Sequence, residues 1–141
     1  NSEFKKNNKI DKKNFENITL MYVEDEKPIR DKLVLILETL FKDTVICKNG
    51  KDGYEAFLNA KSKGDKIDLI VSDINMDEMN GIEMLKHIRE IDRNIPFIFT
   101  TAYSNKEYID EASKYGVSHY AIKPINLKEL LAHIYDICNT K

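Results

Sequence analysis

Short apolar runs and longer helix-like segments alternate five times along this chain, and that alternation constrains its fold more than any other feature. The apolar runs are rich in Ile and Val, and Gly, Asn or Asp residues stand at several of their borders, which favours strands over helices. The runs cover residues 18–23, 44–48, 67–73, 95–101 and 117–122. Regular alternation of strand and helix predicts a doubly wound α/β fold, in which right-handed crossovers place helices on both faces of a parallel sheet.

The segments between and after the runs repeat apolar residues at three- and four-residue spacing, as amphipathic helices do. The first helix is predicted from about Pro28, which suits a first helical turn, to Phe41. Gly81 precedes the third helix, Gly116 closes a weaker fourth helix, and Asn126 is predicted to cap the last one. These helices complete the predicted order of strand then helix, repeated five times.

A length of 141 residues fits a single domain, and residues 18–139 contain no low-complexity linker that would divide it. Residues 1–17 are rich in Lys and Asn and lack apolar periodicity, so we predict a mostly disordered tail there. The beginning of this tail, from Asn1 to Phe4, is a candidate expression remnant. The predicted organisation is therefore one domain over residues 18–139 behind a short tail.

Composition and charge argue against several classes of protein. No apolar run approaches the roughly 20 residues of a membrane-spanning helix, and no signal-peptide pattern is present, so we expect a cytoplasmic protein without a membrane partner. Cys47 and Cys138 lie in apolar surroundings and are interpreted as core residues, not as a disulfide or a metal site. The formal net charge of −2 gives no reason to expect direct binding of nucleic acid.

Polar side chains gather where the predicted strands end. They are Glu24 and Asp25 after the first strand, Asp73 at the end of the third, Thr101 at the end of the fourth and Lys123 after the fifth. Ligands of open α/β sheets bind outside the carboxyl ends of the strands, so these side chains are expected to share one crevice. If the first and third strands are neighbours, three carboxylates repel one another there, and an oxygen-binding cation such as Mg²⁺ would relieve the repulsion.

A carboxylate in such a crevice can also act as a nucleophile and form an aspartyl phosphate. Phosphoryl transfer needs an acceptor, a bridging metal and fixed positive charge near the transferring group. Asp73 would be the acceptor, Lys123 the compact cation, and the Thr101 hydroxyl a donor to a phosphoryl oxygen. Each residue type is common at a strand end, but their combination at successive strand ends predicts phosphoryl chemistry.

Residues 18–139 resemble the receiver domains of bacterial two-component response regulators, in particular the chemotaxis type. The resemblance rests, in chain order, on Glu24-Asp25, Asp73, Asn80-Gly81, Thr101-Ala102 and Lys123-Pro124. It implies a flavodoxin-like sheet of five parallel strands in the order 2-1-3-4-5. It also implies a signalling module that catalyses only its own phosphorylation and dephosphorylation.

The resemblance assigns a phosphoacceptor and metal ligands. Asp73 would accept a phosphoryl group from a phosphohistidine on a sensor histidine kinase or a histidine phosphotransfer protein. Mg²⁺, with Mn²⁺ as an alternative, would be held by Glu24, Asp25 and Asp73 together with the backbone carbonyl of Asn75. Asn75 also occupies a position that tunes phosphoryl lifetime in the family, as does Tyr103, whose bulk would shield the acyl phosphate from water.

The resemblance also assigns a switch. Thr101 and Lys123 would bind the phosphoryl group, and the bond from Lys123 to Pro124 would be cis. Tyr120 stands at the family's switching aromatic position and would rotate inward as Thr101 moves. The face made by helix 4, strand 5 and helix 5 would change with it, for an output domain or protein, or for a second copy in a homodimer. One departure is Asp77, which stands where the family usually has proline and should make its loop more mobile.

The residues also leave two other interpretations open. A pseudo-receiver would be an interaction module that never carries phosphate, and Asp77 near the site is the feature that favours it. A phosphatase of the haloacid dehalogenase type would also use an Asp nucleophile and Mg²⁺, but it needs a second Asp where this chain has Asn75. We therefore expect a signalling receiver, with the pseudo-receiver as the main alternative.

Overall fold

The computed structural model describes residues 11–102 and 106–139. Within these ranges five strands form one sheet: β1 (Thr19–Val23), β2 (Asp43–Cys47), β3 (Leu69–Asp73), β4 (Phe97–Thr101) and β5 (His119–Ile122). Their order is β2-β1-β3-β4-β5, and every neighbouring pair is parallel. This is the doubly wound, flavodoxin-like order that was predicted, and it makes β1 and β3 neighbours.

Five α-helices lie in the same part of the chain: α1 (Lys27–Leu40), α2 (Gly50–Lys63), α3 (Gly81–Ile91), α4 (Lys106–Ser113) and α5 (Leu127–Asn139). Helices α1 and α5 cover one face of the sheet, where Leu37 and Leu131 share an apolar cluster with Val71. Helices α2, α3 and α4 cover the other face, where Phe57 and Leu85 belong to a second cluster. Cover on both faces explains why β3 and β4 are buried along their whole length. No helix among the described residues is long and apolar enough to span a membrane.

The predicted third and fourth strands begin two residues before the observed ones. Ile67 and Ile95 are nearly buried, at 9% and 4% exposure, although they precede β3 and β4. Both pack in the cluster under α2, α3 and α4 before the strands begin. Residues just before these strands are thus buried and apolar like the strands themselves. The apolar run in the sequence therefore does not show at which residue the strand begins.

The helix that follows the central strand has a strong start signal. Asn80 accepts hydrogen bonds from the amides of Ile82 and Glu83, and the Glu83 carboxylate accepts one from the Asn80 amide, which makes a capping box. Gly81 lies so close to β3 that a Cβ there would collide with the carbonyl oxygen of Asp73. The start of α3 is thereby held directly against the end of β3.

Arg89 ties α3 to the turn that leads into β5. Its guanidinium donates to the carbonyl oxygens of Tyr115 (2.7 Å), Gly116 (3.0 Å) and Asp92 (3.1 Å). It also lies over the ring of Phe97, 5.4 Å from the centroid. Gly116 has a φ of 79°, a left-handed conformation that suits glycine after the end of a helix. These contacts position the edge strand whose end carries one of the predicted site residues.

Packing begins before residue 18, which differs from the predicted boundary of the tail. A short 3₁₀ helix spans Lys12–Asn14, and Asp11 caps it by accepting from the Lys13 amide. Phe15 is fully buried, and its ring centroid lies 5.3 Å from that of Phe41. An isolated aromatic residue among polar ones has no periodicity, so the apolar pattern does not indicate this contact. Residues 1–10, with the candidate expression remnant, lie outside the described residues.

Candidate functional site

Three carboxylates meet at the carboxyl edge of the sheet. Glu24 and Asp25 follow β1, Asp73 ends β3, and the two strands are paired up to Val23 and Ser72. One ligand oxygen from each acid lies within 4.8 Å of the other two. The strand order thus brings together the acids that were predicted to share a crevice.

Asp73 is held in a fixed orientation at the end of β3. It is 5% exposed. Its Oδ1 accepts a hydrogen bond from the Ile74 amide at 2.7 Å, and its Oδ2 accepts one from Lys123 Nζ at 2.9 Å. An ionised carboxylate only accepts hydrogen bonds, so each oxygen here has a donor suited to it.

Lys123 supplies positive charge at this site. It follows β5, and its peptide bond to Pro124 is cis. Besides Asp73, its Nζ lies 4.0 Å from Glu24 Oε1 and 3.9 Å from Glu26 Oε2. Partial burial lowers the pKa of the Lys123 ammonium group. The hydrogen bond to Asp73 and the negative charges of Asp73, Glu24 and Glu26 outweigh that effect, so the pKa of Lys123 is raised. Lys123 is therefore a stable cation held among carboxylates.

Glu24 is almost completely buried, with 1% of its surface exposed. Burial raises its pKa to about 7; the amide of Glu26, which donates to Oε2 at 3.1 Å, acts in the opposite direction, and the charge of Asp73 raises it further. A carboxyl group in this state binds a proton near neutral pH unless another cation takes the place of that proton. Glu24 is therefore the carboxyl group of this site that a metal ion would have to deprotonate near neutral pH.

The donor set suits a hard divalent cation. The grouped ligands are carboxylate oxygens, which Mg²⁺ prefers over nitrogen or sulfur. A cavity of about 290 Å³ lies beside them, lined by Asp25, Glu26, Asp73, Asn75, Ala102 and Lys123. Asn75, whose backbone carbonyl was predicted as a further ligand, is thus part of the cavity wall. The residues present fit Mg²⁺.

Thr101 ends β4 next to the cavity wall. It is fully buried, and its hydroxyl donates to the carbonyl oxygen of Ala102 at 3.2 Å. Ala102 lines the cavity, and the backbone amide of Lys123 donates to the Thr101 carbonyl oxygen at 2.9 Å. Thr101 therefore lies at the edge of the site, and its backbone is hydrogen-bonded to that of Lys123, whose side chain supplies the positive charge.

Tyr120 connects β5 to α4. Its hydroxyl lies 2.9 Å from Ser113 Oγ and 3.2 Å from the carbonyl oxygen of Ile109. Its ring stacks on Phe99 at a centroid distance of 6.4 Å, and partial burial raises the pKa of Tyr120. The predicted switching side chain is thus anchored to α4 in this state. Tyr103, predicted to tune phosphoryl lifetime, lies outside the described residues.

The loop after β3, which contains Asp77, rests on the start of α2. The amide of Lys51 donates to the carbonyl oxygen of Glu78 at 2.9 Å. Glu78 and Met79 have φ values of 48° and 73°, an uncommon conformation for residues other than glycine. Gly50 makes room for this turn, because a Cβ there would collide with the Met79 carbonyl oxygen. That Asp77 makes the loop more mobile stays a prediction.

Glu26 is a site residue to which the sequence analysis gave no role. It lines the cavity, and its carboxylate is 58% exposed and 3.9 Å from Lys123 Nζ. A signal was present, since Glu26 directly follows Glu24 and Asp25 at the end of β1. An acid just before a helix is ordinarily interpreted as a cap, however, and the sequence does not show which way its side chain points.

Comparison with known proteins gives one family. The family model for the response regulator receiver domain matches residues 20–135. The chemotaxis protein CheY-3 of Vibrio cholerae is 35% identical over 126 residues, which cover 85% of this chain and 93% of that protein. The uncharacterized transcriptional regulatory protein YesN of Bacillus subtilis is 28% identical over 118 residues, which cover 84% of this chain and 32% of that protein. The chain thus spans about a third of the length of this regulator.

A solved structure shares the fold. It is the CheX–CheY–BeF₃–Mg²⁺ complex from Borrelia burgdorferi, with a TM-score of 0.76 and 21% identity, covering 91% of this chain and 94% of that chain. At this identity the likeness concerns the fold alone. The range matched by the family model contains the three grouped carboxylates and Lys123.

Proposed function

This chain belongs to the response regulator receiver family of two-component signalling, and on that premise we propose that Asp73 is its phosphoacceptor. The donor would be a phosphohistidine on a sensor histidine kinase or on a histidine phosphotransfer protein. The observation that carries the proposal is the 2.9 Å contact between Asp73 Oδ2 and Lys123 Nζ beside two further carboxylates. An acceptor, a cation and a set of metal ligands are the parts that phosphoryl transfer requires.

In the proposed reaction a carboxylate oxygen of Asp73 attacks the phosphorus of the phosphohistidine. A P–O bond forms as the P–N bond breaks, and the imidazole nitrogen leaves with the electron pair of that bond. The Ile74 amide, 2.7 Å from Oδ1, holds the Asp73 carboxylate in place for the attack. Lys123 would pair with a phosphoryl oxygen as negative charge moves onto the transferring group.

Glu24, Asp25 and Asp73 would hold Mg²⁺, with the Asn75 carbonyl as a further ligand and Mn²⁺ as a substitute metal. A bound divalent cation neutralises negative charge on the transferring phosphoryl group. Support comes from the oxygen-only donor set and from the CheY complex of Borrelia burgdorferi, which contains Mg²⁺ and BeF₃. Glu24 would give up its proton when the metal is bound.

The proposal includes a conformational output. A phosphoryl group on Asp73 would draw the Thr101 hydroxyl away from the Ala102 carbonyl, and Tyr120 would then exchange its contact with Ser113 for an inward position. The face of α4, β5 and α5 would change for an output domain or protein, or for a second copy. Moving a population from 1:99 to 99:1 takes about 5.5 kcal/mol. A few charge-assisted hydrogen bonds of roughly 1.5–3 kcal/mol each supply that difference.

The proposed chemistry is confined to Asp73. The domain takes up a phosphoryl group, later loses it to water, and transforms no other substrate. Histidine kinases of two-component systems draw on cytoplasmic ATP, so we place this domain in the cytoplasm.

The proposal is tested by intact-mass measurement after incubation with Mg²⁺ and a small phosphodonor, with the Asp73→Asn variant in parallel. We expect a Mg²⁺-dependent gain of one phosphoryl group in the wild type, no gain in the variant, and unchanged circular dichroism. No gain in the wild type, with Mg²⁺ binding established separately, would contradict the proposal and favour a phosphate-independent pseudo-receiver. An unfolded variant would assign Asp73 a structural role.

A further inference from the structure

The side chain of Glu26 does not cap the helix that follows it. It is the N-cap residue of α1, with φ −82° and ψ 107°, yet its carboxylate accepts no capping hydrogen bond from the amides of α1. An acid at the N-cap position ordinarily accepts a hydrogen bond from an amide of the first helical turn, where the helix dipole also favours negative charge. The side chain instead points to the cavity, where its Oε2 lies 3.9 Å from Lys123 Nζ.

Glu26 also differs from the grouped carboxylates. Glu24, Asp25 and Asp73 place their oxygens within 4.8 Å of one another, and Glu26 is not part of that group. The side chain of Glu26 is 58% exposed, whereas those of Glu24 and Asp73 are 1% and 7% exposed. Glu26 therefore adds a carboxylate at the solvent side of the cavity, where a donor molecule must pass.

A carboxylate in this place acts on an incoming phosphodonor through charge. The donor is an anion, so Glu26 opposes its approach, and Glu26 also competes for the attraction of Lys123. The repulsion grows with the net negative charge of the donor. Acetyl phosphate carries two negative charges at neutral pH, whereas the protonated nitrogen of phosphoramidate offsets one of its charges. The imidazole of a protonated phosphohistidine offsets charge in the same way.

We propose that Glu26 is a donor-specificity residue, whose carboxylate disfavours acyl phosphates relative to donors with a P–N bond. The inference rests on the proposed function, because it concerns how donors reach Asp73. In both reactions Asp73 gains a P–O bond. With acetyl phosphate the bond from oxygen to phosphorus breaks and acetate leaves with the electron pair; with phosphoramidate the P–N bond breaks and ammonia leaves with it.

The experiment compares phosphorylation rates of wild type and Glu26→Gln with acetyl phosphate and with phosphoramidate, at equal Mg²⁺ and ionic strength, by intact mass. We expect the variant to react about fivefold faster with acetyl phosphate, the size of one exposed charge interaction, and about twofold faster with phosphoramidate, whose net charge is half as large. Glu26→Asp keeps the charge and should retain the wild-type preference. Glu38→Gln, which removes an exposed acid near the other end of α1, is the matched control and should change neither rate.

Two further readouts separate a charge effect from a structural one. Added salt should speed the acetyl phosphate reaction of the wild type more than that of Glu26→Gln, because salt screens the repulsion. Mg²⁺ affinity, titrated without any donor, should fall by about fivefold or less, because Glu26 lies outside the grouped ligands and acts on the ion through charge alone. A much larger loss of affinity would make Glu26 a metal ligand and overturn the assignment.

The outcomes with the two donors distinguish this inference from the proposed function. Equal acceleration with both donors, or none with either, overturns the role of Glu26 while phosphorylation of the wild type keeps Asp73 as acceptor. A wild type that takes a phosphoryl group from neither donor overturns the proposed function and this inference together.

Discussion

Glu24→Gln should stabilise the metal-free protein, and the gain should grow with pH. Burial raises the pKa of Glu24 from 4.5 to about 7, so between these pH values the folded protein holds a proton that the unfolded chain has released. The contribution of Glu24 to the stability of the wild type therefore falls as pH rises through this window, and that loss is complete above about pH 7. Gln keeps an oxygen for the Glu26 amide, which lies 3.1 Å from Oε2, but it does not ionise.

The size of the effect follows from the same pKa. A rise from 4.5 to about 7 corresponds to about 3 kcal/mol of unfolding free energy. The variant and the wild type should thus have nearly equal stability near pH 4.5, and the variant should be more stable by about 3 kcal/mol at about pH 8. Glu24 is 1% exposed, so little of this difference is lost to solvent screening.

Urea denaturation in a chelator, followed by circular dichroism at several pH values, measures this difference. Glu38→Gln removes an exposed acid of α1 and should show no comparable pH dependence. Added Mg²⁺ should stabilise the wild type more than Glu24→Gln above pH 7, because the metal needs the ionised carboxylate. A difference that does not change with pH, or a less stable Glu24→Gln at about pH 8, would refute the reasoning.

Two further predictions concern β5 and its surroundings. Arg89→Ala removes the guanidinium that donates to the carbonyl oxygens of Tyr115 and Gly116 before β5 and of Asp92 after α3, and it should lower the unfolding free energy by about 3 kcal/mol in urea. The exposed Arg93→Ala is its control, and an equal effect of both changes would sink this explanation. His119 stacks on His133 with ring centroids 3.5 Å apart, and burial, together with the charge of His133, lowers the pKa of His119. The contribution of His119 to stability should therefore be lost as pH falls below about 6.5, and His119→Phe should reduce that loss in thermal unfolding; an acid side of the profile that this change leaves unaltered would contradict the prediction.

The fold and the centre of the site were predictable because both depend on topology. Alternating apolar runs and amphipathic segments place every strand in one parallel sheet, and the carboxyl ends of parallel strands share one edge. Asp73 and Lys123 are 50 residues apart in sequence, yet both stand at strand ends and so were expected at the same edge of the sheet. The strand order, in which only β4 separates β3 from β5, was implied by the family resemblance, and the 2.9 Å contact itself depends on side-chain direction.

The features that escaped prediction depend on side-chain direction and on single contacts. Glu26 stands where an acid ordinarily caps a helix, and only the folded chain shows that it turns towards Lys123. Phe15 has no periodic neighbours, so its burial against Phe41 has no counterpart in the apolar pattern. Arg89 lies on an amphipathic helix, where a charged residue is expected to be solvated, but its donors reach backbone carbonyls of another segment.

The identity of the phosphoacceptor is tested most directly by trapping the acyl phosphate. The protein is incubated with Mg²⁺ and phosphoramidate and reduced with borohydride, which converts an aspartyl phosphate to homoserine, and its peptides are then mapped by mass spectrometry. We expect homoserine at position 73, dependent on both Mg²⁺ and the donor. Reduction at Asp25 or Asp77 instead, or a gain of phosphoryl mass without any reduced residue, would contradict the assignment of Asp73.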